Sequence, residues 1–296
     1  MTSFRVTQNM IVGGSTARLQ GSLSRLAELQ EQMSSGRRLN RPSDSPTDTA
    51  QAMRLRGSLS SLEQYSRNAA DGVSRLGLAD QALTTSTELV AHARELGLQG
   101  ANAGSSSPAS RAALATELDQ VRASLLDQAN TTYLSRPLFG GVTNGAAAYD
   151  DTGAYVGTPG EVTRRVGENT RVRVDVDGRA VFGDGANSVF TELDDLANAL
   201  RAGDDAGIKT GLAKLAGRLD TMGTAHADLG AAQNRVDRAQ DDIQDTQLDL
   251  TKSLTDIENI DLPRTMIDIN MQEVAYQAAL AATARVVQPS LVDFLR

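Results

Sequence analysis

The sequence predicts a mainly α protein: an elongated antiparallel helical rod of coiled-coil type, with a small β-hairpin section in the middle of the sequence. Three observations predict it. Leu215, Met222, Leu229, Val236, Ile243, Leu250 and Ile257 stand seven residues apart. A strict seven-residue apolar repeat means one long helix packed along its length on other helices. Over 209–260 that helix would run roughly 75–80 Å. Next, Pro42 and Pro263 set off a helical arm at each end of the chain. Finally, Val172, Val174 and Val176 alternate with polar residues in a glycine-punctuated stretch, as short strands do.

The elements follow in order. Leu19, Leu23, Leu26, Leu29 and Met33 form a helical stripe within residues 5–35, which stops near Gly36. The run Arg41-Pro42-Ser43-Asp44-Ser45-Pro46 breaks the chain, because the residue before a proline is pushed out of the α region. Ser45 then suits an N-cap, with Pro46 at the first helical position and Asp48 three residues after the cap. Leu55, Leu59, Leu62, Ala69, Val73, Leu76, Leu83 and Val90 carry that helix to about 103. Ser107-Pro108 opens a third helix with Leu114, Leu118, Val121 and Leu125 on one face. After Phe139 the periodicity changes. Val172, Val174 and Val176, then Asp177-Gly178, then Ala180-Val181-Phe182 read as a hairpin. Helix returns over about 191–203 and precedes the long seam helix. Beyond Leu262-Pro263 lies a last stripe: Ile267, Met271, Val274, Ala278 and Ala281. Leu291 and Phe294 close the chain in an apolar tail.

The plan is nearly mirror-symmetric. Terminal arms, 1–42 with 263–296, flank a helical part, 43–141 with 191–262, around a β section, 142–190. Antiparallel return would bring the arms together. Leu19, Leu26, Met33, Ile267, Met271, Val274, Leu291 and Phe294 are the candidate assembly residues of the arms. A lone pair of such helices buries little against an ordering cost of roughly 1–2 kcal/mol per residue. The arms are therefore expected to order in a polymer that covers both faces of each.

Composition narrows the function. Net charge is −8, which argues against general nucleic-acid binding. Residues 1–56 carry eight Arg against four acids, net +4; residues 194–296 carry ten Lys or Arg against seventeen acids, net −7. Opposite signs at the two ends favour pairing, within a chain or between subunits. Aromatics are 3% and Trp is absent, so a thick globular core is not expected. With no cysteine there is no disulfide or thiolate chemistry. No run reaches the length of a membrane span, and no apolar h-region follows Met1-Thr2-Ser3-Phe4-Arg5, so a cleaved secretory signal is not expected.

No pattern points to catalysis. His92 and His226 read as helix-surface or seam residues without a second ligand at metal spacing. Asp241, Asp242, Asp245 and Asp249 lack the glycine-turned loop of a calcium site and read as a solvated helix face. No cofactor is expected. Two classes remain: a subunit that polymerises through its ends, and a soluble coiled-coil adaptor. Apolar stripes at both ends favour the first.

Five ordered segments carry a resemblance. They are Gln32-Met33-Ser34-Ser35-Gly36-Arg37-Arg38-Leu39-Asn40 running into the Pro-Ser-Asp-Ser-Pro segment, Arg94-Glu95-Leu96-Gly97-Leu98-Gln99-Gly100-Ala101-Asn102, Ala129-Asn130-Thr131-Thr132 with Leu138-Phe139-Gly140-Gly141, Leu229-Gly230-Ala231-Ala232-Gln233-Asn234-Arg235, and the end from Tyr276 to Leu295. Together they resemble the flagellin superfamily over about 1–141 and 209–296, and the tail resembles its hook–filament junction branch; residues 142–208 are not distinctive. The resemblance implies a flagellar structural subunit, extracellular and exported by the flagellar type III apparatus. It implies four partners: hook-associated protein 1, flagellin, further copies in a ring at the junction, and a cytoplasmic export chaperone on the C-terminal arm. A filament subunit, flagellin itself, is the nearest alternative.

Overall fold

Local chemistry sets most helix boundaries in the computed structural model, which describes residues 8–102 and 107–287. Leu291, Phe294 and residues 103–106 lie outside those residues. Helix α1 (Gln8–Ser35) ends where Gly36 turns to φ +70° and its N–H returns to Gln32 O at 2.8 Å. Asp44 then folds the break, its carboxylate accepting the N–H groups of Asn40 (3.0 Å) and Arg41 (2.7 Å). Helix α2 (Pro46–Ala101) starts behind Ser45, whose hydroxyl accepts the Asp48 N–H at 3.4 Å. Helix α3 (Pro108–Ala129) starts behind Ser107, whose hydroxyl accepts the Ser110 N–H at 3.2 Å. Two small antiparallel strand pairs follow. Strand β1 (Thr132–Tyr133) pairs with β2 (Arg136–Pro137), and β3 (Thr163–Arg165) with β4 (Arg171–Arg173). After α4 (Gly178–Phe182) come α5 (Val189–Ala202), the long α6 (Asp205–Glu258) and α7 (Leu262–Val287).

The hairpin differs from the sequence expectation. Strand β4 pairs backward with β3, in the register Arg164 opposite Val172, and not forward with Ala180-Val181-Phe182. Those last residues form α4, because the Asp177 carboxylate accepts the Arg179 N–H at 3.0 Å and caps a helical turn. Gly178 is required there, since a Cβ would stand 2.4 Å from the Phe139 carbonyl oxygen. The turn then drops Val181 and Phe182 into the core, both fully buried. The β1–β2 turn is also unusual. Leu134 (φ +49°) and Ser135 (φ +63°) both adopt left-handed backbone, which costs a non-glycine residue roughly 1–2 kcal/mol.

Two compact units contain these elements: Ser61–Thr246, and the residues up to Ser60 together with those from Gln247. In the first, α2 and α6 run antiparallel. Thr87 meets the Met222 sulfur at 3.8 Å, Asp80 meets His226 at 3.3 Å, and Gly72 abuts Val236. Helices α3 and α5 pack on each other and add Leu114, Leu118, Leu125, Leu193 and Leu196 to the core. The loop section holds an aromatic cluster with edge-on contacts. Phe139 and Phe182 centroids are 5.1 Å apart, Tyr149 and Phe190 5.2 Å. Asn130, just past α3, clamps this section. Its Oδ1 accepts the N–H groups of Ala148 and Tyr149 (2.8 and 2.9 Å), and its Nδ2 donates to Tyr149 O at 3.0 Å.

Charged side chains tie the layers. Arg75, nearly buried on α2, donates to Val174 O at 3.0 Å and Leu138 O at 3.5 Å. Burial holds its guanidinium below the ordinary arginine value, with Asp175 acting in the opposite sense. Arg218 on α6 forks onto Glu192 of α5 (2.9 and 3.4 Å) and also donates to Asn187 O at 2.8 Å.

Candidate assembly surface

In the other unit, the two proline-marked breaks of the chain are bonded to each other. Arg38 N–H donates to Glu258 O at 2.7 Å, Ile260 N–H donates to Gly36 O at 3.2 Å, and Arg37 and Asn259 form an antiparallel bridge. The Arg38 guanidinium donates to Ile257 O at 2.9 Å, a cation on the last carbonyls of α6, where the helix dipole favours it. It also pairs with Asp48 at 2.9 Å, while Arg56 reaches Glu258 at 2.7 Å. The segment that opens the first resemblance motif is therefore the knot that joins the start of α2 to the end of α6.

From this knot α1 and α7 pack side by side. On α1 the half-buried face is Ser15, Leu19, Ser22, Leu26, Leu29 and Met33, at alternating steps of four and three. On α7 the matching face is Thr265, Ile269, Gln272, Tyr276, Ala279 and Thr283, at the same steps. Both are heptad seams, and the α7 one is largely polar. Gln272 Nε2 donates across it to Ser22 O at 3.1 Å and Oγ at 2.8 Å.

Helix α7 carries a second heptad seam. Ile267, Met271 and Val274 are 59%, 66% and 66% exposed, and Ala278 and Ala281 continue the line. The offset from Thr265 to Ile267 is two residues, about 200° around the helix. The two seams thus lie on opposite faces, and the more apolar one faces away from α1. Leu262, Met266 and Leu280 on α7 and Leu23 on α1 are exposed as well. Covering a large apolar side chain is worth about 1.5–3 kcal/mol when complete. A continuous exposed stripe of this kind marks an interaction surface.

The candidate arm residues therefore separate into two groups. Leu19, Leu26 and Met33 are half-buried on the α1 face toward α7. Ile267, Met271 and Val274 are not brought together with them. The stripe pattern alone could not tell an inner from an outer face; the polar residues Thr265, Gln272 and Thr283, on one line of alternating four-and-three steps, were the signal missed.

Of the seven-residue repeat on α6, Leu215, Met222, Leu229, Val236 and Ile243 are at most 4% exposed. Leu250 and Ile257, in the unit where the described elements are all helical, are half-buried. His92 pairs with Glu117 at 3.1 Å and His226 with Asp80 at 3.3 Å, both at the helix surface. Asp241, Asp242, Asp245 and Asp249 are exposed on α6. Among the described residues no group of three or more His, Cys, Asp or Glu could hold a metal ion. No helix among them is long and apolar enough to cross a membrane.

Comparison with known proteins matches the bacterial flagellin N-terminal helical region to residues 6–143 and the C-terminal helical region to residues 212–295. Flagellar hook-associated protein 3 of Escherichia coli is 28% identical over 277 residues, covering 85% of this chain and 87% of that protein. The flagellin of Bacillus subtilis is 26% identical over 294 residues, covering 95% of each. A solved flagellar hook-associated protein from Vibrio parahaemolyticus shares the fold with a TM-score of 0.68 at 22% identity, covering 73% of this chain and all of that one.

Proposed function

This chain belongs to the bacterial flagellin family, and from that premise we propose that it is a structural subunit of the flagellum that joins hook-associated protein 1 to the flagellin filament. The observation that carries an assembly role is the outer seam of α7, Ile267, Met271 and Val274, an apolar heptad line left in water beside an inner seam that is more polar. A lone folded chain gains nothing from this arrangement; a subunit packed among others covers that line and recovers its burial energy. On this reading the terminal arms, 1–42 and 263–296, are the polymerising elements, and copies form a ring at the junction. The protein leaves the cell through the flagellar export apparatus. A cytoplasmic chaperone covers the C-terminal arm until then, since an exposed apolar stripe is a liability in the free chain.

The junction role is preferred to that of filament subunit on two grounds: the similarity to hook-associated protein 3 along most of both chains, and the Gln288-Pro289-Ser290-Leu291-Val292-Asp293-Phe294-Leu295 ending. The near-complete overlap with a flagellin keeps the second reading specific. Deleting the gene separates them. A junction protein leaves hooks without filaments while flagellin appears unassembled in the medium. A filament subunit leaves capped hooks and no flagellin outside. Normal filaments would overturn both.

A further inference from the structure

Asn144-Gly145 is the only Asn-Gly pair in the chain, and the fold leaves it free. The loop that holds it is tied on both sides. Before it, the Val142 N–H donates to Thr158 O at 3.0 Å; after it, the Ala148 N–H donates to Asn130 Oδ1 at 2.8 Å. Between those ties Asn144, Gly145 and Ala146 are exposed. Among the described residues, the N–H groups of 144–147 bond to no main-chain carbonyl. The Gly145 N–H meets a side chain instead, the Thr143 hydroxyl at 3.1 Å. The Asn144 side-chain amide forms no hydrogen bond among the described residues.

This freedom has a chemical consequence. The main-chain nitrogen that follows an asparagine reaches the side-chain carbonyl carbon whenever the backbone can turn to bring the two together. A glycine nitrogen is the least shielded, because no Cβ stands beside it. Other asparagines before small residues, at 68, 187 and 198, are locked. Asn68 and Asn198 precede alanines inside α2 and α5, where the following N–H belongs to the helix ladder. Asn187 precedes Ser188, which is fully buried and whose N–H is held by Gly185 O at 3.1 Å.

We propose that Asn144-Gly145 is a self-modifying site, at which the folded chain deamidates Asn144 with water as the only reagent. The Gly145 nitrogen gives its proton to solvent and bonds to Asn144 Cγ, closing a succinimide ring. The Cγ–Nδ2 bond breaks and Nδ2 leaves as ammonia, taking up a proton. Water then opens the ring at either carbonyl, giving aspartate or isoaspartate at position 144. The sum is one water consumed and one ammonia released, with no change of oxidation state. The product carries a carboxylate where a neutral amide stood. The isoaspartate form also adds a methylene to the main chain between the two ties. Conversion accumulates with the age of the chain, whatever role the chain has in the flagellum.

The test uses the purified full-length chain, held folded in mildly alkaline water enriched in heavy oxygen. Samples taken over days are digested and mapped by mass spectrometry. Heavy oxygen marks conversion during the incubation and separates it from conversion during digestion. Asn144 is expected to convert at least about tenfold faster than Asn68, Asn187 and Asn198, a barrier difference of about 1.4 kcal/mol or more. In Gly145→Ala the new Cβ meets nothing closer than Thr143 Oγ1 at 3.3 Å, so this variant is expected to melt like wild type and to convert about tenfold more slowly. Asn144→Gln keeps the amide but moves its carbonyl one methylene away, and is expected to stay unmodified at position 144. Asn144 that stays intact, conversion spread evenly over the four asparagines, or a Gly145→Ala chain with a wild-type melt that converts as fast as wild type overturns the proposal. None of these outcomes bears on the flagellar role.

Discussion

Gln272 bonds both the carbonyl and the hydroxyl of Ser22, at 3.1 and 2.8 Å, across the α1–α7 seam. A polar pair in a heptad seam sets register more than it adds stability. Gln272→Ala should lower the opening free energy of the pair by about 1 kcal/mol, the net worth of an ordinary hydrogen bond. Amide exchange over 15–33 and 265–283 reads this; unchanged protection would show that the pair contributes nothing.

The two faces of α7 should respond differently to the same change. Met271→Asp and Val274→Asp sit on the exposed seam and should shift stability by less than about 0.5 kcal/mol, as at other surface sites. Ile269→Asp, on the inner seam, should visibly weaken arm protection. The outer variants should nevertheless fail to support filament attachment, measured by electron microscopy of complemented deletion strains. Outer-seam variants that swim normally would remove the seam from the assembly surface.

On α6, Val236→Asp or Ile243→Asp should cost several kcal/mol, because an unpaired carboxylate would enter a site at most 4% exposed. Asp241→Ala and Asp242→Ala should stay within about 0.5 kcal/mol. Thermal or urea melts that rank the two sets alike would refute the seam.

Glu192 and Arg218 are paired at 2.9 Å with both side chains nearly buried. Glu192→Ala should cost roughly 3 kcal/mol, the usual result of stranding one member of a buried pair. Much of this should be recovered in the double variant with Arg218→Met, which removes the stranded charge. A double-mutant cycle with no coupling would show that Arg218 is satisfied by Asn187 and Val181 carbonyls alone.

Asp150 is held below its ordinary value, first by the Thr152 hydroxyl and then by backbone N–H groups including that of Ala154. A depressed carboxylate contributes stability that is present above the unfolded value, near 4, and lost as pH falls through the folded one. Thr152→Val should move the Asp150 titration upward, toward the ordinary value, and reduce the loss of stability seen in acid. A carboxyl NMR titration that does not move would contradict the bond.

Much of this molecule was legible because it is written in local chemistry. Ser45-Pro46 and Ser107-Pro108 begin helices where their hydroxyls and rings require it. The spacing of Leu215 to Ile243 repeats in the buried face of α6. The aromatic cluster was not read, although five of the ten Phe and Tyr fall between 139 and 190. Its members follow no period, and no window rule joins Phe139 to Phe182.

By itself, then, the sequence determined roughly where the longer helices start and stop, which helices carry seams, and that both ends are apolar. Each is a property of one segment, governed by caps, prolines and the 3.5-residue repeat. The tertiary structure alone decided which face each seam presents and which strand pairs with which. Helix α7 has two heptad lines, and only packing on α1 selects the polar one through Gln272 and Ser22. Strand β4 has residues before and after it that could pair, and only the Asp177 cap and the close approach of Gly178 to Phe139 turn the later ones into helix. Such choices depend on the energy of two surfaces meeting, and a single segment contains one of them.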